Sequence, residues 1–245
     1  MSVIVTFVGI ILPYITIVAF FGGFIYRIKG WLSIPVPMPI SVTYPQSRGE
    51  QVKNIASAIL IFPDLFRKDR NLWFGAWPFH VVLAIIIIGH WRLFMDIPDR
   101  ILMAIGYTTQ GIEHLSSVFG TTVGIIFFIA VLYLLVRRIT QVTLRNMSNP
   151  ADYFVLLWLL GIAATGLTMR FVGLPYTNIA TMQNYFWGIF TLHPIAPPTD
   201  PIFLTHYLLA QLLLISLPFS KLIHPIGIFF TQGIKHSLVV QKQVR

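Results

Sequence analysis

Four histidines lie inside two apolar stretches, His80 and His90 in Phe79–Phe94 and His206 and His224 in Thr205–Pro225. Between His206 and His224 the strongly polar side chains are Gln211 and Lys221. An imidazole placed in hydrocarbon is costly without a partner, so an intramembrane histidine marks a candidate functional site. Imidazole is also an axial ligand of haem iron, and a haem held by two of them has both axial positions filled. That arrangement suits electron transfer and leaves no open place for oxygen. Four histidines on two helices therefore read as two haems gripped between those helices. The competing reading is structural, because a membrane histidine can simply hydrogen-bond a neighbouring helix.

The spacing constrains the geometry. His80 and His90 are ten residues apart, a helical rise of about 15 Å, while His206 and His224 are eighteen apart, a rise of about 27 Å. Both pairs are level only if the helices tilt, the macrocycles lean, or Pro218 shortens the path. At about 100° per residue His206 and His224 share one face, whereas His80 and His90 differ by roughly 80°.

The elements that must position these residues are membrane spans. The chain has 245 residues, 56% hydrophobic and 10% charged, far more apolar than a soluble domain and of a length for one domain, residues 1–245. It has no cysteine, which excludes disulfides, Fe–S ligation and thiolate-held zinc from this chain and assigns iron–sulfur chemistry to a partner. An all-α membrane protein with five transmembrane helices is expected, at about residues 3–26, 77–95, 115–136, 153–172 and 202–223. The first is read as a retained helix rather than a signal peptide, since no basic segment precedes it and no small-residue cleavage pattern follows. Pro13 or Gly22–Gly23 is where it would bend.

Between the first two spans, the alternating prolines of Ile34–Pro39 exclude a helix and favour extended geometry. Gln51–Phe62 carries Val52, Ile55, Ala56, Ile59 and Leu60 at helical spacing, with Lys53, Asn54 and Ser57 mostly opposite. It reads as an amphipathic helix lying at the interface or under a partner subunit. The second span ends at Asp96, Pro98, Asp99 and Arg100, and residues 101–114 form a short interfacial helix. Gly120 and Gly124 of the third span have the GxxxG spacing that permits close helix approach or contact with a flat ligand. Asn149-Pro150-Ala151-Asp152 starts the fourth span. Residues 173–201 are rich in proline and aromatics, and Asp200 caps the fifth span.

The net charge of +9 raises nucleic acid as a partner, but the basic residues segregate. Seven lie after the first span, three after the third, and four at the end of the fifth and in the tail (Lys221, Lys235, Lys242, Arg245), leaving Arg92, Arg100 and Arg170 opposite. Fourteen against three places the N-terminus outside and the C-terminus in the cytoplasm, with no need of nucleic acid. Antiparallel spans then pair His80 with His224 at cytoplasmic depth and His90 with His206 at outer depth. Quinol oxidation beside such a haem needs a flat apolar slot and a proton acceptor. Gly89 would let a ring approach, and Glu113 or His114 would take the proton. Arg92 and Arg170 are candidates for haem propionates or for simple interfacial anchoring. His114, His193 and His236 otherwise read as solvated or interfacial.

The pattern resembles the haem-b membrane subunit of respiratory nitrate reductase, the gamma-subunit family, which has five spans and four haem histidines on its second and fifth helices. His80-x9-His90 and His206-x17-His224 match its spacings, and Gly89-His90, Leu134-Leu-Val-Arg-Arg138 and Pro218-Phe-Ser-Lys-Leu-Ile-His224 its local motifs. Cytochromes b of the quinol–cytochrome c type, with nearly equal spacings, fit less well. Within the family the chain is more similar to the membrane cytochrome linked to dissimilatory sulfite reduction, the DsrM type of the DsrMKJOP complex. The long first loop ending in Phe62-Pro-Asp-Leu-Phe-Arg-Lys carries that likeness, with Trp77-Pro-Phe-His80, His90-Trp-Arg-Leu-Phe94, Asp152-Tyr-Phe, Thr165-Gly-Leu-Thr-Met-Arg170 and Ser220–Phe230.

The resemblance implies two haem b, with His90 and His206 on the outer haem and His80 and His224 on the cytoplasmic one. It implies electron exchange between menaquinol or menaquinone and a cytoplasmic iron–sulfur subunit similar to heterodisulfide reductase. That exchange would take place in a multi-subunit complex of the cytoplasmic (inner) membrane, in sulfite or sulfate metabolism. Where the nitrate branch has a quinol-site lysine after the second helix, this chain offers Gln110, Glu113 and His114. Two readings of other classes are a histidine-based transporter, disfavoured by the lack of a deep acid or inverted repeat, and a haem-free anchor for a soluble enzyme.

Overall fold

A computed structural model describes residues 2–33, 48–173, 179–224 and 227. The proline-rich stretch 34–39 and the tail residues Lys235, His236, Lys242 and Arg245 lie outside the described residues. Among the described residues every regular element is helical, and five helices are long and apolar enough to cross a membrane: Val3–Ser33, Arg70–Leu93, Thr109–Thr140, Pro150–Val172 and Pro201–Phe219. Arg48–Leu60 is a separate helix bearing Val52 and Leu60 exposed, where an amphipathic helix is expected.

Several boundaries differ from the sequence reading. The second span starts seven residues earlier than Trp77, because Asp69 caps it by accepting the Leu72 amide at 2.8 Å. Trp73 and Trp77 thus lie inside the helix and stack on each other with centroids 5.2 Å apart. Asp96 and Pro98 terminate nothing: they start a short helix, Ile97–Ala104, with Pro98 in its first turn. The third span begins at Thr109 rather than Leu115, capped by the Thr108 hydroxyl on the Gly111 amide, so Glu113 and His114 belong to the span itself. The stretch 173–201 contains a further helix, Ile179–Phe190, which buries Met182, Tyr185, Phe186 and Ile189. The fifth helix stops being α-helical at Ser216. Pro218 sits in a 3-10 turn, and Ser220 is extended before a second 3-10 turn, Lys221–Ile223, so the proline ends the helix instead of kinking it.

Other signals act as read. Asn149 and Asp152 form a reciprocal capping box at the fourth span, with Pro150 in the first turn. The Asp200 carboxylate accepts the amides of Ile202 and Phe203 at 2.7 and 3.0 Å.

Contacts divide the chain into two compact units, Met1–Pro13 with Leu65–Ala210, and Tyr14–Asp64 with Gln211–Arg245. In the first, the third span packs between the second and the fourth. Glycine sets the closeness: a Cβ on Gly75 would meet the Tyr133 ring at 2.5 Å, one on Gly124 the Leu167 side chain at 2.9 Å, and one on Gly120 the Arg170 guanidinium. The Gly120/Gly124 spacing therefore serves helix–helix approach, the first of its two expected uses. Pro13 has no N–H to give the Gly9 carbonyl, the chain runs through a π-helical turn at Phe7–Ile11, and the buried Tyr185 hydroxyl donates to that carbonyl.

Asp69 also pairs with the buried Arg137 of the third span, and Arg138 with Asp152 at 3.2 Å. In the second unit, Gly23 gives the first span room against Pro218 and Phe219, Arg27 donates to the Pro218 carbonyl at 3.0 Å, and Thr16 donates to the buried Gln211 at 3.4 Å.

Candidate haem-ligand and quinol site

All four histidines are held through Nδ1, three of them on spans, while His224 lies past the end of the fifth span, after the second 3-10 turn. In the second span, Nδ1 of His80 lies 2.7 Å from the Ala76 carbonyl, and Nδ1 of His90 lies 2.7 Å from the Ile86 carbonyl. Both acceptors are one turn back on the same helix. His224 makes the same contact with the Lys221 carbonyl at 3.0 Å. His206 reaches the fourth span instead, with Nδ1 3.0 Å from the Thr165 hydroxyl and 3.1 Å from the Ile162 carbonyl. A carbonyl can only accept, so Nδ1 carries the proton and the lone pair of the neutral ring lies on Nε2. That is how second-shell partners fix the tautomer of a metal-binding imidazole. The donor chemistry of all four residues therefore fits haem iron.

His90 and His206 are within electrostatic range of each other, as are Arg170 and His90. Gly89, beside His90, opens onto empty space: a Cβ there would meet nothing within 4 Å. His80 is half-buried in the first unit, and His224 belongs to the second.

Arg92 and Arg170 have different partners. The Arg92 guanidinium forms a two-point bond to Asp99, at 2.6 and 2.9 Å, and also reaches Glu113 at 2.9 Å. Gln183 of the helix missed in the sequence donates to the Arg92 carbonyl at 2.7 Å. One arginine thus joins the end of the second span to three other helices, with its side chain 12% exposed. Arg170 lies across Gly120, donates to the Ser116 carbonyl at 3.2 Å, and has no ion pair with a carboxylate among the described residues. His114 is exposed on the third span. His193, also exposed, is tied to the Thr191 carbonyl at 2.7 Å.

The sequence alone gives Asp99, Gln183 and Thr165 no place in the site. The signal for Thr165 was weak, since a threonine inside a span commonly bonds its own helix. Asp99 reads in the sequence only as part of the stop after the second span, and nothing there ties it to Arg92.

The family model for the nitrate reductase gamma subunit matches residues 64–242, a stretch that contains all four histidines. The chain belongs to the nitrate reductase gamma subunit family. Curated relatives carry two kinds of name. The Hdr-like menaquinol oxidoreductase cytochrome b-like subunit of Archaeoglobus fulgidus is 29% identical, over 91% of this chain and 77% of the relative. Its counterpart in Archaeoglobus profundus is 26% identical, over 90% and 76%. The nitrate reductase gamma chain of Bacillus subtilis is 26% identical, over 87% of each chain. With five membrane-length helices, this gamma-family member is a multi-pass membrane protein.

Proposed function

We propose that the chain is the dihaem b subunit of a quinol-linked oxidoreductase. It would carry electrons between menaquinol and a cytoplasmic iron–sulfur subunit similar to heterodisulfide reductase, in dissimilatory sulfur metabolism. The observation that carries this reading is the common Nδ1 anchoring of the four histidines, which puts the ring lone pair on Nε2, the atom that would coordinate iron. A haem held by these residues would supply one-electron transfer. His90 and His206 would hold the outer haem. His80 and His224 would hold the cytoplasmic one. The names of the Archaeoglobus relatives support the quinol substrate and the heterodisulfide-reductase-like partner.

Near the outer pair, Arg170 would neutralise a propionate, since no carboxylate among the described residues pairs with it. Arg92, with its fork on Asp99 and Glu113, would act by holding the two acids rather than by meeting a propionate. Gly89 leaves the approach to His90 open for a flat ring. Oxidising a quinol releases two electrons and two protons, so the site also needs a proton acceptor. Glu113, with its side chain 44% exposed, and the neighbouring His114 would serve. The segregation of basic residues supports an outer N-terminus, a C-terminus in the cytoplasm and insertion in the cytoplasmic membrane. The helix Arg48–Leu60 would lie at the membrane interface beneath the partner.

The experiment is a reduced-minus-oxidised absorbance spectrum of the purified chain, followed by reduction with a menaquinol analogue. Bands of b-type haem that appear with the quinol are expected; a chain without such bands would sink the reading. A Glu113→Gln variant is expected to slow reduction by quinol while leaving dithionite reduction complete, and a normal quinol rate would remove Glu113 from the role. The Bacillus subtilis relative favours a second reading, the gamma subunit of a nitrate-reductase-type complex. Copurified subunits distinguish the two: a heterodisulfide-reductase-like protein supports the first, a nitrate-reducing catalytic subunit the second.

A further inference from the structure

His206 differs from His80, His90 and His224 in what holds its ring. The others bond carbonyls of their own helical segment, whereas His206 is fixed by the fourth span. The Thr165 hydroxyl has one proton, and it lies 2.8 Å from the Gly161 carbonyl and 3.0 Å from the Ile162 carbonyl. With that proton given to its own helix, Oγ1 presents a lone pair to the His206 N–H 3.0 Å away. Gly166, the next residue, supplies the space: a Cβ there would stand 3.1 Å from Cε1 of the imidazole, tighter than ordinary contact. One residue thus supplies an acceptor and its neighbour a flat place for the ring to lie.

We propose that Thr165 and Gly166 are positioning residues that set the basicity and tilt of the His206 imidazole, and through it the reduction potential of the haem His206 would hold. This rests on the haem reading above. An N–H donated to a good acceptor pushes electron density into the ring and makes Nε2 a stronger donor to iron, which favours the ferric state and lowers the potential. The Ile162 carbonyl shares the same N–H at 3.1 Å, so loss of the hydroxyl weakens the bond without abolishing it. The two haems would then differ in potential because one of their four ligands has an acceptor pair on another span.

The test is a redox titration of the intact complex, wild type and variants, with low-temperature EPR of the ferric haems. Thr165→Val and Thr165→Ala both remove the hydroxyl, the first keeping its volume. Each is expected to raise the potential of one haem, leave the other unmoved and keep two haems per chain. Thr165→Ser is expected to restore the wild-type value. Gly166→Ala is expected to shift the largest g value of the same haem, because the added methyl displaces the ring. Hydroxyl-free variants with both haems at their wild-type potentials and g values overturn the proposal. A wild-type complex without haem in this chain overturns the haem reading itself, before either residue is altered.

Discussion

Tyr185 is 1% exposed, and its hydroxyl donates to the Gly9 carbonyl, the group that Pro13 deprives of its regular amide donor. Tyr185→Phe removes that donor, and with it the side-chain hydrogen bond to Tyr207, while keeping the ring and its edge contacts to Phe186, Phe203 and Tyr207. Leaving a buried acceptor short of its partner costs about 1–3 kcal/mol. Measured values for hydrogen bonds inside membrane proteins average about 0.6 and reach about 1.7 kcal/mol, so about 1 kcal/mol is expected. For a chain of this size that is a fall of roughly 2–4 °C in melting temperature.

Pro13→Ala gives the helix back an amide, so in that background the same tyrosine change should cost much less. The coupling in the double-mutant cycle should be about 0.5–1 kcal/mol. The assay is thermal unfolding of the four variants in one detergent, followed by intrinsic fluorescence. Equal costs of Tyr185→Phe with and without Pro13 would refute the assignment of the hydroxyl to the carbonyl freed by the proline.

Gly75→Ala places a methyl against the Tyr133 ring and should cost about 1–3 kcal/mol by overpacking, read as a lower melting temperature with haem content retained. Asp69→Ala removes both the cap of the second span and the carboxylate facing the buried Arg137. It should cost about 2–4 kcal/mol, more than Asp69→Asn, which keeps a capping oxygen. Glu113→Gln in the presence of Arg92 should leave thermal stability nearly unchanged while slowing quinol-driven reduction, because Asp99 still supplies a carboxylate to the arginine.

The five spans were legible because apolar runs of that length have few other uses, and the Asn149 box was read from four residues. Boundaries failed where one residue type carries two meanings. Asp96 and Pro98 can close one helix or open the next, and only the side chains that follow decide. The helix Ile179–Phe190 was hidden by neighbouring prolines, although Met182, Tyr185, Phe186 and Ile189 have the three–four spacing of a buried face.

The histidines were visible as a pattern, but their tautomers were not, since these depend on backbone carbonyls and on one threonine of another span. The Arg92 junction was likewise invisible. Asp99, Glu113 and Gln183 are separated from Arg92 by 7, 21 and 91 residues, and nothing local to any of them announces the meeting.

In the proposed function, four histidines of this gamma-family chain hold two haems in pairs. Pyridine haemochrome stoichiometry of the purified complex, compared with His90→Ala and His80→Ala, tests it most directly. Two haems in this chain for the wild type and one for each variant are predicted, with different spectral components lost in the two variants. A wild-type value near zero, or variants that keep both haems, would contradict the account.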